Sequence, residues 1–257
     1  MKKIPVEILK IILLVGLAIL GSILATEIAL KLNYKPARGL VREMVTCGIV
    51  IISFLIFSRF WDKESYNNNI ISRGKGKFLF WVKGFIIGGV MIGLTTLILI
   101  LTGWIKTEYN NPSRALITFP FITMVFTAFW EELVFRGYAL NKLQNIIGKH
   151  AAAVAIALIF ALLHLLSPLS SFAIVISTFL SGLLLNYAFI KTQNLYFPVG
   201  IHFAWNALNN LLYENVLFKI DYVNQFTGGI KNPEQGLVAI VITGLAVLYV
   251  FTLKSKN

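Results

Sequence analysis

Ile11-Ile12-Leu13-Leu14-Val15-Gly16-Leu17-Ala18-Ile19-Leu20 lies inside an apolar run that begins near Ile8 and continues to about Leu30. A helix needs about 20 predominantly apolar residues to cross the hydrocarbon core of a bilayer. This run meets that length. Comparable runs follow at about 44–60, 78–103, 117–139, 151–167, 171–190, 196–213 and 236–253. Polar or turn-rich segments separate most of them, most clearly 31–42, 62–77, 106–114 and 214–234. Lipid admits only helices and closed barrels, and these runs are too long and too uniformly apolar for barrel strands. The expected fold is all-α: one polytopic transmembrane helical bundle of about eight spans. Met1-Lys2-Lys3 before the first run resembles the start of a signal peptide. The run is too long for a signal h-region and no small-x-small site follows it, so it reads as an uncleaved first span.

Composition points the same way. Hydrophobic residues make up 57% of the chain and charged residues 13%, against about 25% charged in an ordinary soluble domain. The mean hydropathy is +0.78. The net charge of +12 would suggest nucleic acid in a soluble protein. No basic face accompanies a nucleic-acid motif, and Lys and Arg crowd the cytoplasmic loops of membrane proteins. No nucleic-acid partner is expected; the partner of this surface is the lipid bilayer. With the N-terminus inside, inner segments and span edges hold Lys2, Lys3, Lys10, the basic residues from Arg59 to Lys83, Lys142, Lys149, Lys191, Lys254 and Lys256, against Lys31, Lys35, Arg38, Arg42, Lys106, Arg114, Lys219 and Lys231 outside. That bias favours both termini in the cytoplasm, although Lys31 to Arg42 is itself basic. Richness in Ile, Asn and Lys suggests a low-GC bacterium, hence a plasma-membrane location. Cys47 is the only cysteine. It reads as packing, and neither a disulfide nor a thiol metal cluster is possible.

Chemistry-bearing residues stand out against this background. The fourth span holds Trp130-Glu131-Glu132-Leu133-Val134-Phe135-Arg136-Gly137. Each charged residue at mid-bilayer costs about 2.5–3.5 kcal/mol on insertion scales, so such groups persist when paired or functional. Glu132 and Arg136 are four apart and share a helix face, within ion-pairing reach. Glu131 is rotated about a quarter turn from that face, at ~3.6 residues per turn. Glu132 can therefore be held by Arg136 while Glu131 faces something else. A bland alternative is a charge cluster snorkelling to the interface. The fifth span holds Phe160-Ala161-Leu162-Leu163-His164, and the seventh His202-Phe203-Ala204-Trp205-Asn206. His202 and Asn206, four apart, also share a face; alone they could be an interhelical hydrogen-bond pair. Of three histidines, only His150, beside Lys149, sits at a span edge and reads as interfacial. If the three spans meet, they supply a base, a partner for water and two hydrogen-bond donors, the parts that amide hydrolysis requires.

Glu-Glu-x-x-x-Arg, Phe-x-x-x-His and His-x-x-x-Asn, in this order, resemble the CAAX protease and bacteriocin-processing (Abi) family. These are intramembrane glutamic proteases similar to the type II CAAX prenyl endopeptidases. The motifs occupy Glu131 to Asn206. The resemblance implies that Glu131 activates the attacking water and His164 helps hold it. It implies that His202 and Asn206 stabilise the oxyanion, and that Glu132 and Arg136 support the site. It implies no cofactor and no metal. The implied substrate is a membrane-associated peptide or a lipidated tail. Residues 1–115 carry no readable signature, and 116–257 are expected to form the catalytic membrane core. A metallopeptidase is a rival reading, since Glu and His suit Zn²⁺, but the helical His-Glu-x-x-His signature is absent. A bacteriocin immunity or scaffold protein of the same fold is another. A transporter is weaker, for want of inverted repeats. Oligomeric state has no signature in the chain.

The span boundaries themselves create a tension. If the fourth span ends near Leu140, Glu131 lies about 14 Å from its inner end, at ~1.5 Å per residue. His164 then lies near the outer end of the fifth. For the two to meet, span four must shift or span five must start later.

Overall fold

A computed structural model describes residues 4–63, 71, 76–165, 172–214, 216–222, 227 and 236–254. The fold is the all-α membrane bundle that the apolar runs predict. Helix α1 (Ile4–Leu30) pairs with α2 (Arg38–Ile56), which a π-helical turn, Phe57–Trp61, prolongs. Then come α3 (Lys77–Leu101) and strand β1 (Ile105–Tyr109). Helix α4 (Arg114–Glu132) runs into a π-helical stretch, Leu133–Leu140, and on into α5 (Asn141–Ile147). Helices α6 (Lys149–His164), α7 (Phe172–Thr192) and α8 (Tyr196–Tyr213) follow. Strand β2 (Phe218–Tyr222) and α9 (Leu237–Thr252) complete the order.

Among the described residues, five helical rods are long and apolar enough to cross a membrane: Ile4–Leu30, Lys35–Trp61, Lys77–Leu101, Arg114–Ile147 and Ala173–Thr192. Lys149–His164 and Leu237–Thr252 are shorter apolar helices. Their outer faces carry exposed Leu20, Ile23, Leu101 and Leu248, as lipid-facing surface should. The inner faces bury Leu14, Leu133, Ile156, Phe189 and Ile201 in one core.

Two boundaries differ from those expected. The fourth span does not stop near Leu140. Polar Asn141, Lys142, Gln144 and Asn145 read as a loop, yet they continue the helix to Ile147. The chain turns at Gly148, whose φ of 83° lies in the region that favours glycine, and α6 runs back. His164 is as far beyond this turn as Glu131 is before it, within one residue. Phe135 and Phe160, also nearly equidistant from the turn, meet edge-on with ring centroids 5.0 Å apart. The depth tension therefore disappears because span four is longer than it looks. The expected end of the fifth apolar run, at about residue 167, lies outside the described residues.

The second difference is a two-stranded antiparallel ribbon, with Ile105 opposite Tyr222 and Tyr109 opposite Phe218. It joins two segments expected to be loops. It caps the end of the bundle where α3 and α8 finish, over a small cluster of Ile92, Leu99, Ile105 and Tyr213.

Helices α3 and α8 approach closely enough for backbone contact. A Cβ at Gly84 would overlap the Phe197 carbonyl, one at Gly88 the Ile201 carbonyl, and one at Gly200 the Trp81 carbonyl. Small residues at such spacing let membrane helices pack on their backbones. This seam fixes the depth of α8, and with it the depth of His202.

Candidate active site

The site grows from α4. Glu131 and Glu132 close its last turn, and Arg136 lies in the π-helical stretch, all eight residues of which are buried. π-Helical turns recur at functional sites. Arg136 Nη1 donates to Glu132 Oε1 at 2.9 Å, and both side chains are fully buried. Arg136 Nε donates to Asn186 Oδ1 at 2.9 Å, and Nη2 to the Gly182 carbonyl at 3.2 Å. Asn186 in turn donates to the Ala153 carbonyl at 2.7 Å. The guanidinium thereby joins α4, α6 and α7, with the Phe160 ring 4.9 Å from its Cζ.

Helix α8 joins the same network. His202 Nδ1 lies 2.8 Å from Glu132 Oε1. A carboxylate beside a guanidinium is an acceptor, so Nδ1 carries the donated proton. His202 Nε2 then points the other way, 3.8 Å from Glu131 Oε2. His164 Nδ1 donates to the Phe160 carbonyl at 2.8 Å, which leaves its Nε2 for other partners. Adjacent carboxylates thus have different surroundings: Glu132 is held by Arg136 and His202, while Glu131 borders open space.

That space is a cavity of about 110 Å³ lined by Glu131, His164, His202 and Asn206, with Thr178 and Ser181 of α7 opposite. It has polar walls and room for more than one water molecule. A second, largely apolar groove of about 250 Å³ reaches Glu131 and His164 from between α1 and α6, past Val15, Ala18, Ile19 and Leu163. Glu131 and His164 therefore stand where a cavity with polar lining meets an apolar groove. Of the six residues singled out in the sequence, four line the polar cavity, and Glu132 and Arg136 lie behind it. His150 stays at the periphery, against Tyr187 and Phe251. Among the described residues, no three His, Cys, Asp or Glu side chains are grouped as ligands of a metal ion.

Sequence reading missed several residues. Asn186 is a lone amide in an apolar span, a signal that was visible. Thr178 and Ser181 look like ordinary small residues of a membrane helix. Glu43, on α2, is 4% exposed and accepts a 2.7 Å hydrogen bond from Trp130 Nε1, next to Glu131. It stands beside Arg42 at the edge of an apolar run, and nothing there signals a place next to Glu131.

Residues 113–208 match the family described as type II CAAX prenyl endopeptidase Rce1-like. The resemblance read from the three motifs is borne out. The Rce1-like segment starts just before α4 and ends within α8, so it holds all six residues. No curated protein and no solved structure matches the chain. The Rce1-like match and the apolar helices together make this an integral membrane protein, and residues 113–208 are the part that is similar to the endopeptidase family.

Proposed function

We propose that the chain is an intramembrane endopeptidase in which Glu131 activates water to hydrolyse a peptide bond of a membrane-associated peptide or lipidated tail. The observation that carries this reading is the convergence of Glu131, His164, His202 and Asn206 on one polar cavity. Glu131 is the group free to act as base, because Glu132 is committed to Arg136 and His202. A water between Glu131 and His164 Nε2 gives its proton to Glu131 as its oxygen attacks the peptide carbonyl. The carbonyl oxygen becomes an oxyanion. His202 through a protonated Nε2, and Asn206 through its amide N–H, meet that oxyanion. The Glu132 carboxylate, 2.8 Å from His202 Nδ1, balances the charge of a doubly protonated imidazole. The proton on Glu131 then passes to the leaving amine, the C–N bond breaks, and acid and amine products leave. A general base contributes about 10²–10⁴-fold, and an oxyanion donor about 10²–10³-fold.

The apolar groove beside α1 supports a substrate with a lipid-like or strongly apolar portion, since it opens directly on Glu131 and His164. Comparative membrane peptidomics of wild type and Glu131→Ala tests the reading and names the substrate. Products present only with the wild type are expected, at equal amounts of folded protein. Full processing by the variant overturns the reading and leaves a scaffold of the same fold. Exhaustive chelation is expected to spare cleavage. Loss of cleavage that added Zn²⁺ restores would make the enzyme a metallopeptidase.

A further inference from the structure

A separate groove lies between α3, α7 and α9. Its mouth, of about 450 Å³, is lined by Lys83, Lys191 and Lys254, together with Tyr249 and Ile87. It continues along α3 and α9 into a nearly wholly apolar trough of about 340 Å³, past Val90, Leu94, Ile242 and Leu245. The two share Ile86, Ile87 and Tyr249. From Lys83 to Leu94 is about 16 Å along a helix at ~1.5 Å per residue. That is close to the depth of one leaflet, half of a hydrocarbon core of ~30 Å.

The three lysines come from the second turn of α3, the last turn of α7 and the residues just past α9, and the bundle brings them to one pocket. Lys83 stands over Phe80 at 5.9 Å and Lys191 over Phe251 at 5.2 Å, contacts that place the stems. Among the described residues, none of the three ammonium groups has a carboxylate within salt-bridge distance. Elsewhere Lys10 and Lys142 are ion-paired. Three uncompensated cations at the mouth of an apolar trough one leaflet deep call for an anion that carries an alkyl chain. A soluble phosphate would answer the cations and leave the trough bare. A zwitterionic lipid would fill the trough and answer the cations poorly. Basic pockets between membrane helices do hold anionic head groups, and Tyr249 sits where interfacial aromatics gather.

We propose that this groove is a binding site for an anionic phospholipid, its phosphate among Lys83, Lys191 and Lys254 and one acyl chain along Ile87, Val90 and Leu94. The site is independent of the peptidase reading, because none of its polar residues belongs to the cavity around Glu131.

The test uses the full chain in detergent, with phosphatidylglycerol or phosphatidylcholine titrated in and retained lipid read by native mass spectrometry. Wild type is expected to keep phosphatidylglycerol in clear preference to phosphatidylcholine. The triple variant Lys83→Gln, Lys191→Gln, Lys254→Gln should lose phosphatidylglycerol affinity about a hundredfold, as each basic residue near a surface contributes about fivefold. The corresponding triple Lys→Arg variant should keep it. Ala246→Trp, which obstructs the trough and leaves the lysines in place, should also lose it. Equal retention of the two lipids by wild type overturns the proposal whether or not any variant folds. So does unchanged binding in the Gln variant, or displacement of the lipid by equimolar inorganic phosphate.

Discussion

Two clusters of buried charge in this molecule can be compared side by side. In the first, Lys10 of α1 is 2.9 Å from Glu7 and 2.7 Å from Asp62, and Lys142 of α5 is 3.1 Å from Asp62. It ties the first helix to the turn after α2 and to the end of the fourth span. In the second, Glu132 is bonded to Arg136 and His202, and Arg136 to Asn186. Both clusters are shielded: Lys10 is 5% exposed and Arg136 fully buried. The difference is what lies alongside. The carboxylates of the first are spent on lysines. The second backs onto a polar cavity and has an extra carboxylate, Glu131, whose closest ion partner is His202 Nε2 at 3.8 Å. Of the two, only the second keeps a carboxylate to spare beside a cavity.

Glu131→Gln separates the two clusters most strongly. It keeps the volume and removes the carboxylate proposed as the base. Cleavage of the substrate is expected to fall by about 10²–10⁴-fold, with the thermal midpoint close to wild type. Next in size is Arg136→Leu, which strands the Glu132 charge in the core. Breaking a buried pair on one side costs about 3–5 kcal/mol, read as a lowered unfolding midpoint in detergent. Pairing it with Glu132→Gln should recover part of that loss, because the stranded charge is gone. An Arg136→Leu protein as stable as wild type would mean that the network does not hold the helices together.

Asp62→Asn probes the first cluster. It removes the anion that two lysines share, and the expected loss is about 1.5–3 kcal/mol, again in the unfolding midpoint. Turnover should not change. A matching fall in turnover without loss of folded protein would show that the two clusters are coupled and abolish the distinction between them.

The sequence exposed these features unevenly, for physical reasons. Membrane insertion penalises charge so strongly that Glu131, Glu132 and Arg136 stand out against Phe and Leu, and the helical period alone separates Glu131 from its neighbour. The end of that same span was misread. Asn141, Lys142, Gln144 and Asn145 are polar because the helix there is leaving the hydrocarbon, and polarity at the edge of a run looks like a loop whether or not the helix stops. The ribbon was obscured by scale. Ile105-Lys106-Thr107-Glu108-Tyr109 and Phe218-Lys219-Ile220-Asp221-Tyr222 alternate with the two-residue period of a strand, but windows of about 20 residues average that period away. Gly84, Gly88 and Gly200 read as ordinary small residues until α3 and α8 are seen to meet at them. Nothing in the chain foretold that Thr178 and Ser181 would line the cavity, because that depends on the rotation of α7 in the bundle.

A mild substitution at Trp130 asks whether the N-terminal helices serve the site. Glu43 belongs to α2, outside the Rce1-like stretch 113–208, yet it takes a hydrogen bond from Trp130, the residue before Glu131. Its other oxygen is 2.7 Å from Arg42 Nε. Trp130→Phe removes the indole donor and keeps an aromatic ring. Arg42 remains to satisfy Glu43, so the stability change should be small, on the order of 1 kcal/mol. Turnover is the informative reading. A fall of several-fold at unchanged KM, restored by no change in lipid, would mean that α2 positions the carboxylate next door, making the N-terminal helices part of the working site. Unchanged turnover would confine them to packing, and the machinery would then lie wholly between α4 and α8.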